Sequence, residues 1–461
     1  PSCDRFLTAE VLMRLLKFGG TSVGDVERIR MVAHIVKREM SGGVVLVFSA
    51  MGDTTDQLLA VGRLAAQGDQ AKSMEGIVAL RQMHVRAVEG LLKGEAKEAV
   101  RAYCRQAFAK VEEMAHGMWV LADFSPTVQD RLLGMGELLS SRIIAAYLAQ
   151  QGLGAEWVDA REFIITDDRH TRAEPLFAET AERCRQVLLP LLHQGKLPVT
   201  QGFIARSLSG VPTTLGRGGS DYTASLIGAA LGAEEIQIWT DVDGILTADP
   251  YLVPQARHIP VMSFQEAAEL AFFGARVLHP KTLLPAVERS IPVRVRNTHR
   301  PEGEGTLILA QPQANGQRVK SIAYKEGMTL VNLLSSRMFK AHDYLRQIFE
   351  VFDRYEVTAD LVATSEVSVA VAIYDASRLP MITRELQKFG SVSVKPRQAV
   401  VCVVGEKLKE TPGMVTQVFQ ELADIKVSMV SQGGSEINLS FVIDEGDLPV
   451  VIRRLHRKFF E

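Results

Sequence analysis

The feature that most constrains this 461-residue chain is an alternation over its first three hundred residues. Short apolar runs alternate with segments of helical period, and the early runs end in small residues. Residues 15–18 read as a strand running into Gly19-Gly20-Thr21-Ser22, and the following segment puts Val26, Ile29, Val32, Ala33 and Val36 on one helix face. Residues 44–48 read as a second strand ending in Ser49-Ala50-Met51-Gly52. A mostly helical block is expected over 55–151, with further short strands over 197–201, 236–239 and 293–295. Strands that alternate with helices build an α/β domain with a largely parallel sheet. Such sheets bind ligands at the carboxyl ends of their strands, where these glycine-rich turns fall.

The pattern changes near Pro301-Glu302-Gly303-Glu304-Gly305 and over 311–317, where polar residues, glycine and proline mark a domain boundary. An internal repeat follows. The stretch from Val357-Thr358 through Ser365-Glu366 to Ile373 aligns without gaps on Val427-Ser428 through Ser435-Glu436 to Ile443, an offset of about 70 residues. The preceding helices match as well, Ile348-Phe349 against Val418-Phe419. Each copy reads strand, helix, strand, strand, helix, which is a small antiparallel α+β unit. A final helix is expected over 448–460, and the run 392–395 reads as shared, interlocking the two copies.

Composition narrows the function classes. With 47% apolar and 23% charged residues the chain has the balance of a soluble globular protein. A formal net charge of -2 without a long basic block argues against nucleic acid as the main partner. Cys3, Cys104, Cys184 and Cys402 lie far apart in no metal or redox spacing, which points to a reducing, cytoplasmic compartment. No apolar run reaches the roughly 18 residues that cross a membrane, and residues 1–12 lack the basic start and apolar core of a signal peptide. Met13 is available as an original start, and a plastid location stays open for a plant chain.

Lys17 stands at a strand end beside Gly19-Gly20 and ahead of a helix start, where backbone N–H groups and an ammonium favour phosphate oxygens. It precedes its glycines, so this is not a Walker A loop, and alone it reads equally as a plain turn. Leu215-Gly216-Arg217-Gly218-Gly219-Ser220-Asp221 surrounds an arginine with glycines and leads into a small-residue helix. Arg217 suits a carboxylate or phosphate, against a flexible loop with Asp221 as a cap. Glu137, in Gly134-Met135-Gly136-Glu137, either complements a helix start or receives a substrate ammonium. Thr240-Asp241-Val242-Asp243-Gly244 either lines a nucleotide or makes a turn. His279-Pro280 reads as structural.

In this order the motifs resemble the aspartokinases of the amino-acid kinase family. The likeness runs through residues 17–22, 49–56, 136–140, Gln201-Gly202-Phe203, 216–221, 239–244, 247–250 and 274–280, and covers nearly all of the chain from Met13. Thr364-Ser365-Glu366-Val367-Ser368 and Val430-Ser431-Gln432-Gly433 resemble the paired ACT units of the monofunctional, lysine-sensitive members. Residues 336–345 are most similar to plant-type versions.

The resemblance implies an amino-acid-kinase fold over 13–310, with a mainly parallel sheet and helices on both faces, then ACT (ferredoxin-like) units over 319–397 and 398–461. It implies an ATP-dependent transfer to L-aspartate giving 4-phospho-L-aspartate, the first step toward lysine, threonine and methionine. Lys17 and Asp221 would be catalytic. Thr55, Glu137, Phe203, Arg217 and Gly219 would bind aspartate. Lys17, Gly19, Gly20, Ser220, Thr240, Asp241, Leu246 and Arg276 would line ATP, with Mg²⁺ arriving on the nucleotide and no direct metal ligand.

An effector site would involve Asp343, Tyr344, Leu345, Asp360, Thr364, Ser365 and Glu366. Lysine is the expected effector, with threonine or S-adenosylmethionine as others. The tail would pair subunits as a homodimer or larger, without nucleic acid or membrane. Leu246, Tyr251 and Arg276 stand where relatives carry tyrosine, arginine and lysine, and Asp343 replaces a glycine. Two other readings remain at this point: a catalytically weak amino-acid-sensing homologue, and a kinase of the same fold with another carboxylate acceptor.

Overall fold

The computed structural model describes residues 13–274, 280–312, 318–334 and 343–461. It divides into two compact units, Pro1–Ile245 with Leu278–Pro312 and Leu246–Val277 with Gln313–Glu461.

The sheet of the first unit runs Ala155–Trp157, Leu197–Gln201, Gly43–Phe48, Met13–Phe18, Glu235–Thr240, Val293–Asn297, Thr306–Leu309. These neighbours are parallel except for the last pair. Strands covered on both faces need near-continuous apolar sequence, and Leu15, Leu16, Phe18 and the whole run Val44 to Phe48 are buried. Phe18 stacks on Phe48 and Trp239 with ring centroids 5.3 and 6.0 Å apart. Every expected strand of this unit is present; 197–201 keeps its expected bounds and the others are longer by one or two residues.

Helix Val26–Glu39 buries Ile29, Val32, Ala33, Ile35 and Val36, and Asp25 caps it by accepting from Arg28 N at 2.9 Å. The helical block resolves into Thr54–Ala66, Gln70–Leu91, Gly94–Leu121, Pro126–Leu133 and Met135–Gln150. By length and composition the stretch Pro126–Gln150 is apolar enough to cross a membrane, but most of it is buried inside the unit, where Leu132, Leu139, Ile143 and Leu148 join the core.

The segment Leu246–Val277 follows the strand Glu235–Thr240 in sequence but belongs to the second unit. Ala248 and Val253 share an apolar cluster with Ile322, Val401, Phe441 and Leu455. The Tyr324 hydroxyl donates to Asp249 Oδ2 at 2.7 Å, and Ile322 N donates to Thr247 O at 2.9 Å. Alternation along the sequence gives no sign of this, because the segment's short strand Val261–Ser263 and helix Phe264–Phe272 continue the pattern that precedes them.

The second unit holds an antiparallel sheet in the order Leu361–Thr364, Ser368–Ile373, Val319–Leu334, Ser391–Gly405, Asn438–Asp444, Met429–Ser431. Its central strands are 16 and 15 residues long. Val319 to Lys325 pairs with Gly405 to Val400, the register shifts, and Leu330 to Leu334 pairs with Lys395 to Ser391. Helices Tyr344–Arg354 and Leu379–Leu386 cover one apolar cluster, and Met414–Gln420 and Leu448–Phe460 cover the other.

Candidate active site

Strand ends in the first unit converge on Lys17. It is the penultimate residue of Met13–Phe18, in register with Val47 and Ile238. Its ammonium lies 2.6 Å from Asp221 Oδ1, and both residues are buried. Asp221 is in the first turn of helix Gly219–Leu231. That helix starts at Gly218 in the left-handed conformation, with no side chain capping its first N–H groups. A helix start of this kind favours an anion.

Glycines permit the close packing here. A Cβ on Gly20 would sit 2.7 Å from Gly52 O, and one on Gly202 would sit 2.4 Å from Ser220 Cβ. The turns after three neighbouring strands and the helix start are thereby brought together, linked by Gly52 N to Gly20 O at 3.0 Å and Ser49 Oγ to Ser220 Oγ at 3.0 Å. Phe203 has φ 69° and is tied by its N–H to Thr223 Oγ1 at 3.1 Å. Its ring lies against Gly219, where a Cβ would come within 2.8 Å.

Glu137 lies in the first turn of Met135–Gln150 and is buried. Ala50 N donates to its Oε1 at 3.3 Å, while Oε2 has no partner. Burial pushes its carboxyl up to about 8, more than the backbone N–H groups offset. A buried acceptor without a donor is costly, and such an atom suits an incoming cation. Ser140 Oγ donates to Ser49 O at 2.7 Å, which ties this helix to the turn that meets Ser220.

Thr240 ends its strand beside Lys17; Gly19 N donates to Trp239 O at 3.1 Å and Thr298 N to Thr240 O at 2.8 Å. Asp241 is exposed and accepts from Thr240 Oγ1 at 3.2 Å. Its neighbour Asp243 is bound by Asn297 Nδ2 and Arg300 at 2.7 Å each, and so shapes the loop.

Thus Lys17, Gly19, Gly20, Glu137, Phe203, Gly219, Ser220, Asp221 and Thr240 gather at one end of the sheet. Thr55 is half-buried on the adjoining helix Thr54–Ala66. Arg217 is carried on the same loop as Gly219, but its side chain is exposed and pairs with no carboxylate among the described residues. Leu246 lies in the second unit, where its carbonyl accepts from Ser321 Oγ. Tyr251 is 94% exposed. Arg276 and His279 lie outside the described residues.

The expected site residues did not include Ser49, Ser140 and Thr223, which hold the turns together. Small polar residues at strand ends and in first helical turns were the available signal.

In the second unit, Tyr344 is buried and its hydroxyl donates to Phe389 O at 3.3 Å. Asp343, Leu345, Thr364, Ser365 and Glu366 are exposed. Ser365 closes its own turn through Ser368, and Asp360 is paired with Lys325.

The sheet, the helix start and the cationic strand end define a phosphotransferase-type α/β site. Residues 13–297 match the model of the Amino acid kinase family, and residues 401–459 match an ACT domain. The chain is 35% identical to Aspartokinase 1, chloroplastic, of Arabidopsis thaliana over 97% of this chain and 80% of that protein. It is 36% identical to Lysine-sensitive aspartokinase 3 of Escherichia coli (strain K12), over 96% of this chain and 98% of that one. A crystal structure of E. coli aspartokinase III in complex with aspartate and ADP (R-state) superposes with a TM-score of 0.87 at 35% identity, covering 97% and 100% of the two chains. The complex of the same enzyme with lysine and aspartate (T-state) gives 0.81. The chain belongs to the aspartokinases of the amino acid kinase family.

Proposed function

We infer that the chain transfers the γ-phosphoryl group of ATP to the side-chain carboxylate of L-aspartate, giving ADP and 4-phospho-L-aspartate. The observation that carries this is the buried Glu137 carboxyl, with an oxygen lacking any donor, in the same strand-end cluster as the Lys17–Asp221 pair. One group awaits an ammonium and the other a phosphoryl group. The aspartate and ADP bound by E. coli aspartokinase III support the same pairing of ligands.

In this reading the substrate's α-ammonium meets Glu137 Oε2. The arriving positive charge draws the proton off a carboxyl that burial keeps near 8. Arg217, Thr55, Phe203 and Gly219 hold the rest of aspartate. The nucleophile is a carboxylate already ionised at neutral pH, so no general base is required. Lys17 offsets charge on the transferring group, Asp221 holds the Lys17 ammonium in place, and the N–H groups opening helix Gly219–Leu231 face the anion. Gly19, Gly20, Ser220, Thr240 and Asp241 line the nucleotide. Mg²⁺ arriving on ATP would neutralise phosphate charge.

The C-terminal unit acts as an amino-acid sensor, with lysine as inhibitor and Asp343, Tyr344, Leu345, Asp360, Thr364, Ser365 and Glu366 around it. Its edge strands pair subunits into a dimer or larger assembly.

The test is a hydroxamate assay with ATP, Mg²⁺ and aspartate, run beside acetylglutamate and glutamate as acceptors. Aspartate alone should give the acyl hydroxamate. Equal or greater turnover with another acceptor would overturn the substrate assignment. Inhibition is then measured with lysine, threonine and S-adenosylmethionine; a flat response to all three removes the sensor role.

A further inference from the structure

Asp360 is already engaged from within the chain. Its side chain is 6% exposed, Oδ1 is paired with the Lys325 ammonium, and Oδ2 accepts from Tyr374 N at 3.0 Å. The same ammonium lies 4.9 Å from the ring centroid of Tyr374 and 5.7 Å from that of Phe272. A carboxylate flanked by aromatic faces is a receptor for an alkylammonium group.

The receptor is open. Tyr374 is 58% and Phe272 42% exposed, so an ammonium can enter and leave without unfolding the core. Lys325 reaches it from the central strand Val319–Leu334, at the point where pairing with Ser391–Gly405 shifts between Lys325 and Met328. Lys325 already neutralises the Asp360 carboxylate and Tyr374 N holds its other oxygen, so a second ammonium meets an uncompensated negative charge there only when Lys325 leaves.

We propose that Asp360, Tyr374 and Phe272 form a primary-alkylammonium receptor, that Lys325 is its resident occupant, and that an effector carrying a terminal ammonium binds this chain only by displacing Lys325. The inference rests on the reading of the C-terminal unit as an amino-acid sensor and names the residue that sets its threshold. A tethered competitor lowers apparent affinity by the fraction of time the receptor is free. A receptor free for about one-tenth of the time therefore weakens the effector about tenfold.

The test titrates free lysine onto the full-length protein, by calorimetry and by inhibition, for wild type, Lys325→Met, Lys325→Arg and the double variant Lys325→Met with Asp360→Asn. Lys325→Met keeps an apolar stem between the rings and should lower half-saturating lysine at least about tenfold. Lys325→Arg, which refills the receptor, should behave as wild type, and the double variant should lose the gain. Threonine has no terminal ammonium, and its half-saturating concentration should not move. If Lys325→Met misfolds because Asp360 is left unpaired, Lys325→Gln supplies a neutral partner and carries the same expectation. Equal lysine response in wild type and the neutral variants overturns the inference while leaving lysine as the effector. No lysine binding in any form overturns both.

Discussion

The candidate sites of the two units handle their polar side chains in opposite ways. In the first, Glu137 is buried with an oxygen that no donor meets, and Lys17 and Asp221 are buried together at a helix start with no side-chain cap. In the second, the residues expected to sense an effector are exposed or satisfied by their own neighbours: Ser365 by Ser368, Tyr344 by Phe389 O, Asp360 by Lys325. In the first, the free Glu137 oxygen is unmet electrostatic demand that a substrate relieves, beside a Lys17–Asp221 pair already held in place, which is the preorganisation catalysis needs. The second is complete without a ligand, so an effector must replace an internal contact, and its affinity reflects only the difference.

The largest effect should come from Lys17→Met. Losing a fixed charge at the transferring group should cut kcat about a thousandfold, with a much smaller change in KM for aspartate. Steady-state kinetics with both substrates varied decides this; near-normal turnover would remove Lys17 from the chemistry. Next is Glu137→Gln, which should raise KM for aspartate about a hundredfold, as expected for a lost hydrogen bond to a charged group.

Glu137 also gives a pH signature. Its folded carboxyl titrates near 8, against an ordinary value of 4.5. Stability from the neutral form is therefore full below about 4.5 and lost as pH rises through about 8. The ligand-free protein should weaken over that window, and Glu137→Gln should flatten the slope. Parallel slopes in thermal melts of the two proteins would contradict a neutral Glu137.

Much of the first unit was legible in the sequence. Runs such as Val44 to Phe48 are apolar throughout because both sheet faces are covered, and the helix Val26–Glu39 shows one apolar face. Lys17 and Asp221 stood out through their glycine-rich surroundings, Gly19-Gly20 after the strand and Gly216 to Gly219 at the helix start, since either charge alone also reads as a turn or a cap. What stayed hidden depends on long-range contact. Nothing local marks Glu137 as buried with a free oxygen, since that follows from Ala50 and the packing of Gly136 on Ala50 and Thr54. The membership of Leu246–Val277 in the second unit rests on contacts with residues distant in sequence, such as Val253 in the cluster of Phe441 and Asp249 bound by Tyr324, which no local pattern reveals. The Lys325–Asp360 pair joins a residue of the strand Val319–Leu334 to one 35 positions on, just before the strand Leu361–Thr364, which spacing alone does not reveal.

A third test sets a buried histidine of one unit against that of the other. His84 Nδ1 donates to Leu80 O at 2.8 Å and Nε2 has no partner; burial lowers its pKa to about 4. His456 in the second unit shares Nε2 with Thr247 Oγ1 at 3.0 Å, and its pKa is also lowered by burial. The unfolded imidazole of His84 takes a proton below its ordinary 6.5, while the folded one resists until about 4. Stability is therefore full above 6.5 and lost as pH falls, by about 2 kcal/mol at pH 5 on the linkage relation. Denaturant melts of His84→Leu at pH 7 and pH 5 should show that much less acid loss than wild type. An unchanged loss would mean that His84 is already protonated or solvated in the folded state.

The smallest effect belongs to Arg217, and it probes the comparison most closely. Arg217 shares a loop with Gly219, yet it is exposed and unpaired among the described residues, unlike the buried Lys17. An exposed guanidinium that becomes ordered on ligand binding loses part of its gain to side-chain entropy and solvent screening. Arg217→Ala should therefore raise KM for aspartate only about tenfold, within the range of a hydrogen bond to a charged group, and leave kcat within a small factor. Arg217→Lys should recover little of it, because an ammonium lacks the planar fork that grips a carboxylate at two points. Rescue by lysine would mean that Arg217 acts as a diffuse charge rather than a bidentate clamp. A change in kcat as large as that of Lys17→Met would place it with the buried catalytic group and erase the distinction between stored demand and recruited contact.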